Sequence, residues 1–346
     1  MTHTIALSFE DGVTRFIECR DDEKVLDAAY RQRINLPMDC SDGVCGTCKC
    51  HCEQGDYELG DDYLEEALDG QELARGLVLT CQMLPRSDCV IAVPVPSSAC
   101  KTGPLRFEAT LSAITAHQDA ALEVEFELDE RTAAPAFLPG QYVNIGIPGG
   151  VETRSYSFSS PPGSRRLSFL IKRVPGGRMS AYLDGARVGE RLSLDGPLGA
   201  FYLREPCRPL LLLAGGTGLA PFLSMLEVLA SRDATLPIRM LYGVTRDQDL
   251  VLVERLQAYA DRLADFEFLT CVAEERSSHP RKGFVTDHLD PAVLHGGEVD
   301  VYLCGPPPMV DAVRHHLDGL GVVPAGFYYE KFTPNLVISA GEEVSA

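Results

Sequence analysis

Cys40-Ser41-Asp42-Gly43-Val44-Cys45-Gly46-Thr47-Cys48 sets three thiols at a C-x4-C-x2-C spacing, with a fourth candidate at Cys81. Four thiolates that converge on the two irons of a 2Fe–2S cluster use this spacing. Three ligands on one tight loop demand unusual backbone angles, which Gly43 and Gly46 can supply. Backbone N–H groups of such a loop also point at the sulfides and stabilise their charge. Two rival readings stand beside it, a zinc site and a set of buried thiols. Zinc sites commonly pair C-x2-C on both sides, and Cys81 has no such partner. Cys50 and Cys52, at i and i+2, read as one face of a strand rather than as ligands.

Six of the twelve cysteines lie between Cys40 and Cys81. Met1-Thr2-His3-Thr4 does not begin a signal peptide, and no apolar run approaches the ~20 residues of a membrane span. A soluble, cytoplasmic protein with reduced thiols is expected, not a disulfide framework. With 31 Lys and Arg against 50 Asp and Glu, the net charge is −19, the wrong sign for nucleic acid. Residues 1–100 carry 8 basic and 19 acidic side chains. Asp56, Glu58, Asp61, Asp62, Glu65, Glu66, Asp69 and Glu72 follow one another with no Lys or Arg between. Part of that stretch is expected to be helical, with Tyr63, Leu64, Ala67 and Leu68 turned inward. It either steers a basic partner or is simply a solvated face.

Composition breaks at Val93-Pro94-Val95-Pro96 and at Arg204-Glu205-Pro206 divide the chain. The pieces are 1–100, 105–205 and 206–338, with a tail at 339–346 expected to be disordered. The middle piece is a series of short alternating segments, the pattern of an antiparallel barrel or sandwich. In the last piece, apolar strands at 210–214, 238–242, 266–271 and 299–304 alternate with helical stretches, which means parallel α/β.

Within the middle piece, Arg154-Ser155-Tyr156-Ser157 offers what a flavin needs: a cation for phosphate, an aromatic plane and a hydroxyl donor. Gly176-Gly177-Arg178-Met179-Ser180 reads as a glycine turn opening a short helix, a cradle for a diphosphate. In the last piece, Ala214-Gly215-Gly216-Thr217-Gly218-Leu219-Ala220-Pro221 joins a strand to a helix. Pro221 stands where a third glycine would complete G-x-G-x-x-G, yet N–H groups at a helix start still suit a diphosphate. Cys304-Gly305-Pro306-Pro307-Pro308-Met309 ends a second strand. Taken alone, Cys304 reads as a small residue closing that strand.

The order of these motifs, with GGTG-x-AP and CGPPPM, resembles the ferredoxin–NAD(P)+ reductase superfamily. Its arrangement is similar to the benzoate dioxygenase reductase group, over essentially the whole chain. Stretches such as Asp11–Phe16, Asp27–Gln32 and Val299–Pro306 resemble that group in particular.

The resemblance implies a β-grasp-like 2Fe–2S ferredoxin domain, an antiparallel β-barrel flavin domain and an α/β parallel-sheet nucleotide domain. It implies Cys40, Cys45, Cys48 and Cys81 on the cluster. FAD would lie on Arg154, Tyr156, Ser157, Gly177, Met179 and Ser180. NADH would lie on Gly216, Thr217, Gly218, Gly305, Pro306 and Met309. Cys304 would stand near the nicotinamide, Ser157 at the flavin and Phe332 against its ring. The expected activity is that of a monomeric NADH-dependent reductase serving a terminal oxygenase, with a soluble di-iron monooxygenase as the alternative customer. NADH hands over two electrons together and the cluster takes one, so the flavin must stand between them. NADH rather than NADPH is expected because Asp247 and Asp249 would repel a 2′-phosphate, although Arg246 could pair with one.

Overall fold

The computed structural model describes residues 2–38, 40, 43–60, 63–100 and 105–331. Phe332 and the 339–346 tail lie outside the described residues. Two compact units emerge: Met1–Pro206 with Ala220–Thr235 and Val251–Ala264, and Cys207–Leu219 with Leu236–Leu250 and Asp265–Ala346.

The first unit begins with β1 (Thr2–Phe9), β2 (Thr14–Arg20), α1 (Val25–Arg31), β3 (Lys49–Gln54), β4 (Tyr57–Leu59), α2 (Gly70–Ala74), β5 (Leu77–Leu79), β6 (Met83–Pro85) and β7 (Cys89–Val93). Five strands form one sheet in the order β2-β1-β7-β3-β5, while β4 pairs with β6. Alternation decides which face is buried: Ile5, Leu7 and Phe9 turn inward on β1, as do Cys89, Ile91 and Val93 on β7. Helix α1 closes that core with Val25, Leu26, Ala28 and Ala29. It ends where Arg33 takes a left-handed φ of 63°. The cluster loop therefore hangs between α1 and β3.

The acidic stretch is helical only at its end, and its inward face differs from expectation at Leu64. No helix covers 63–68; the five-residue α2 follows it, capped by Asp69. Ala67 and Leu68 are buried, but Leu64 is 50% exposed. A single turn is too short to bring Leu64 round to the face that Ala67 and Leu68 share.

Next come β8 (Leu105–His117), β9 (Ala121–Glu127), β10 (Tyr142–Gly146), β11 (Thr153–Ser157), β12 (Arg166–Lys172), α3 (Arg178–Gly185) and β13 (Arg191–Leu198). The six strands run in the order β11-β10-β13-β8-β9-β12, and a bridge between Phe158 and Phe169 closes the ring. Phe137 stacks on Phe158 at 3.8 Å inside it. Helices α4 (Ala220–Ser231) and α5 (Val253–Arg262) count with this unit. Phe222 meets Phe201 edge-on at 5.9 Å, and Arg255 forks onto Glu123 at 2.8 and 3.1 Å.

The second unit is a parallel sheet of β14 (Leu210–Gly215), β15 (Ile238–Val244), β16 (Phe266–Val272), β17 (Asp300–Gly305) and β18 (Gly326–Lys331), with α6 (Pro307–Gly319). The order is β16-β15-β14-β17-β18, so the direction of winding reverses between β14 and β17. The strand β18 is an addition to the sequence reading; Phe327 and Tyr329 pack on the sheet's core. No helix among the described residues is long and apolar enough to cross a membrane.

Candidate functional site

Three sites can be built from their residues, beginning with the cysteine loop. Gly43 and Gly46 hold φ of 76° and 73°, the left-handed angles that a side chain resists. Thr80 ties the loop to the fourth cysteine by donating its N–H and its hydroxyl, each at 3.2 Å, to the Cys48 carbonyl. Cys48 Sγ then lies 3.2 Å from Cys81 Sγ. The Cys48 thiol, with burial opposing and the Gly43 N–H assisting, holds Cys81 below the ordinary thiol value. The same contact, together with burial, pushes Cys48 up. Cys45 acts on Cys48 by charge, and Cys40 acts likewise on Cys81, so all four sulfurs are within electrostatic reach.

The quartet fits a cluster. Metal–sulfur bonds of about 2.3 Å at tetrahedral angles put two thiolates about 3.8 Å apart, so the Cys48–Cys81 pair needs only a small opening to share one iron. Among the described residues, no three His, Cys, Asp or Glu side chains are gathered tightly enough for a single ion. Ligands spread over two irons stand farther apart than those of one.

On the barrel, β11 presents Arg154 and Tyr156 to one face, and Ser157 is buried. Arg154 and Arg178 both reach the carboxylate of Glu152. One negative group thus draws the β11 cation and the first residue of α3 together, which is where a diphosphate could take its place. Gly176 turns at φ 72°, and Ser180 Oγ accepts the Val174 N–H at 2.9 Å. Met179 is packed in the barrel core, so it can offer a ligand its backbone and not its side chain. Burial raises the Tyr156 phenol above its ordinary value; the ring stays neutral and suits a flat apolar ligand. Arg178 lies within the Gly176–Ser180 turn that the sequence marks out, whereas Glu152 belongs to no motif there; only the fold sets it between Arg154 and Arg178.

The third site lies at the carboxyl ends of β14 and β17, the reversal point where open α/β sheets bind ligands. A side chain on Gly218 would overlap the Cys304 carbonyl, and one on Gly215 would stand 2.6 Å from Met309 Sδ and 2.9 Å from Pro306 Cδ. The two glycine-bearing loops are therefore in backbone contact. Gly216 turns at φ 56° with open space beside it. Cys304 is buried, directly opposite Glu330 in the β17–β18 register, and its thiol reaches the Glu330 carboxylate at 4.0 Å. Glu330 opens the Glu330-Lys331-Phe332 segment that resembles a family stretch at the flavin; its place opposite Cys304 becomes visible only once β18 is in place. At the end of β15, Arg246 is held by Asp249 at 3.3 Å through two nitrogens, and Ser277 donates to Asp247 at 2.5 Å.

Residues 8–86 match the 2Fe-2S iron-sulfur cluster binding domain. Residues 108–202 match the oxidoreductase FAD-binding domain, and residues 212–315 the oxidoreductase NAD-binding domain. The metal of this domain is thus an iron–sulfur cluster and not zinc. The chain is 53% identical over 333 residues to the toluate 1,2-dioxygenase electron transfer component of Pseudomonas putida, covering 96% of this chain and 99% of that one. It is 47% identical to the 2-halobenzoate 1,2-dioxygenase electron transfer component of Burkholderia cepacia, covering 97% and 99%. The propane 2-monooxygenase reductase component of Rhodococcus jostii stands at 35%, with 92% and 88% covered. Among solved structures, the Amycolatopsis cytochrome P450 reductase GcoB superposes with a TM-score of 0.72 at 30% identity, covering 96% and 99%.

Proposed function

The chain belongs to the electron transfer components of aromatic-ring 1,2-dioxygenases, and on that footing we propose that it draws electrons from NADH for the terminal oxygenase of a benzoate-, toluate- or anthranilate-type substrate. It is an oxidoreductase with a 2Fe–2S cluster, FAD and a nicotinamide nucleotide as its cofactors. The observation that carries the reading is geometric: one chain holds a cysteine quartet, a barrel with paired arginines and a parallel-sheet reversal point. When bound, the flavin supplies the conversion between two-electron and one-electron transfer.

Each residue set then has a task. Cys40, Cys45, Cys48 and Cys81 hold the irons, with the Gly43 N–H directed at Cys81 sulfur. Arg154, Gly177, Ser180 and the Met179 backbone bind the FAD diphosphate, and Tyr156 and Ser157 bind its ring. Gly216, Thr217, Gly218, Gly305, Pro306 and Met309 bind NADH, with Cys304 beside the nicotinamide. Phe332, outside the described residues, is assigned to the flavin face. The protein works as a cytoplasmic monomer, with a high negative charge to keep it soluble.

Cys45→Ala tests the reading. It should abolish the cluster's visible absorption and electron delivery to cytochrome c, while NADH still reduces the flavin. Cytochrome reduction at the parent rate would refute the order of carriers. Reconstitution with benzoate, toluate and anthranilate oxygenases then identifies the customer.

A further inference from the structure

The peptide that leads into the cluster loop lies against the flavin barrel. Asn35, Leu36 and Pro37 share a small cavity with Gln141, Leu198 and Tyr202. The Tyr202 ring, which follows the last barrel strand, is buried in the core of the iron–sulfur domain. At the far end of the seam, the Tyr142 hydroxyl comes within 3.5 Å of the Met38 carbonyl, two residues before Cys40.

Tyr142 has a second relationship. It is 8% exposed and stands directly opposite Ser157 in the β10–β11 register. Directly opposed residues share a face of the sheet, so Tyr142 and Ser157 are neighbours on the strand pair assigned to the flavin. One rigid side chain therefore spans from that strand pair to the backbone entering the cluster loop.

We infer that Tyr142 is a positioning residue that sets how closely the cluster loop approaches the flavin strand. Its ring, held in place by burial, carries the hydroxyl to the Met38 carbonyl. At 3.5 Å the hydroxyl contact is long, so most of the effect belongs to the ring. The inference rests on the cofactor assignment and is independent of which oxygenase is served, so an error in the customer leaves it standing.

The test uses the holoprotein and anaerobic mixing with NADH, following flavin bleaching and cluster bleaching as separate phases. In Tyr142→Leu, flavin bleaching should stay within about twofold of the parent, while cluster bleaching slows about tenfold or more. Deuterium exchange over Met38–Cys45 should quicken in the same variant. Tyr142→Phe keeps the ring and should slow cluster bleaching by no more than about threefold; it also serves if the leucine variant does not fold. Parent-rate cluster bleaching in Tyr142→Leu would overturn the inference. So would loss of bound FAD, which would assign Tyr142 to the flavin pocket, or equal slowing of both phases, which would mean general loosening.

Discussion

Gly218 and Cys304 are in backbone contact across the reversal point of the parallel sheet, close enough that a side chain on Gly218 would overlap the Cys304 carbonyl. The obstacle is backbone, not the far end of a flexible side chain, so it cannot step aside cheaply. Gly218→Ala should push the two nucleotide loops apart. We expect KM for NADH to rise about tenfold or more, with flavin and cluster absorption retained. A variant with the parent KM would show that the loops can separate without harm.

Arg246 is the cation that could welcome a 2′-phosphate, and Asp249 already occupies it through two guanidinium nitrogens. The expected consequence is a kcat/KM preference for NADH of at least about tenfold. Asp249→Ala releases the guanidinium, which can then pair with a phosphate. Its NADPH efficiency should rise by about an order of magnitude. Equal efficiencies in the parent would remove the premise.

The acidic face beside the cluster is smaller than its sequence suggests. Glu58 pairs with Arg86 and Glu72 with Lys49, each at 2.6 Å, while Asp69 caps α2. Glu65 and Glu66 stay exposed beside Leu64, whose N–H bonds to Gly43 of the cluster loop at 3.1 Å. Changing both glutamates to lysine should slow oxygenase reduction at low salt and leave NADH-driven flavin reduction intact. The effect should fade at high salt, because screening sets in over ~8–10 Å near physiological strength. A double variant matching the parent at low salt would place docking elsewhere.

Glu23 supports the iron–sulfur domain through Arg31, whose Nε and Nη2 donate at 2.8 and 2.9 Å, and through the Arg20 N–H at 3.3 Å. The Arg31 hydrogen bonds, partly offset by burial, hold its carboxyl below the ordinary value. A lowered folded value means stabilisation that is complete above the unfolded value of 4.5 and lost as pH falls through the folded one. Glu23→Gln should cost about 1–2 kcal/mol at pH 7. The gap between variant and parent in thermal melts should close as pH falls through the lowered folded value; a gap that persisted in stronger acid would mean the loss was packing rather than charge.

Local patterns were legible wherever one loop or one periodicity sufficed. The C-x4-C-x2-C spacing, the two glycines that relieve it, the six barrel strands and four of the five parallel strands are each written in a few consecutive residues. Cys50 and Cys52 do lie on a strand, β3, as their alternation says. Backbone chemistry of that kind depends on near neighbours, so a sequence alone determines it. Tertiary structure decided what depends on distant residues meeting. It turned Leu64 outward because no helix forms there, and sent Met179 into the barrel core. It set Glu330 opposite Cys304 through a half-buried edge strand whose pattern is weak. It also brought Arg178 to Glu152 and Tyr142 to Met38. Those partners lie 26 and 104 residues apart in the chain. No local pattern encodes such pairs; the packing of one layer on another creates them.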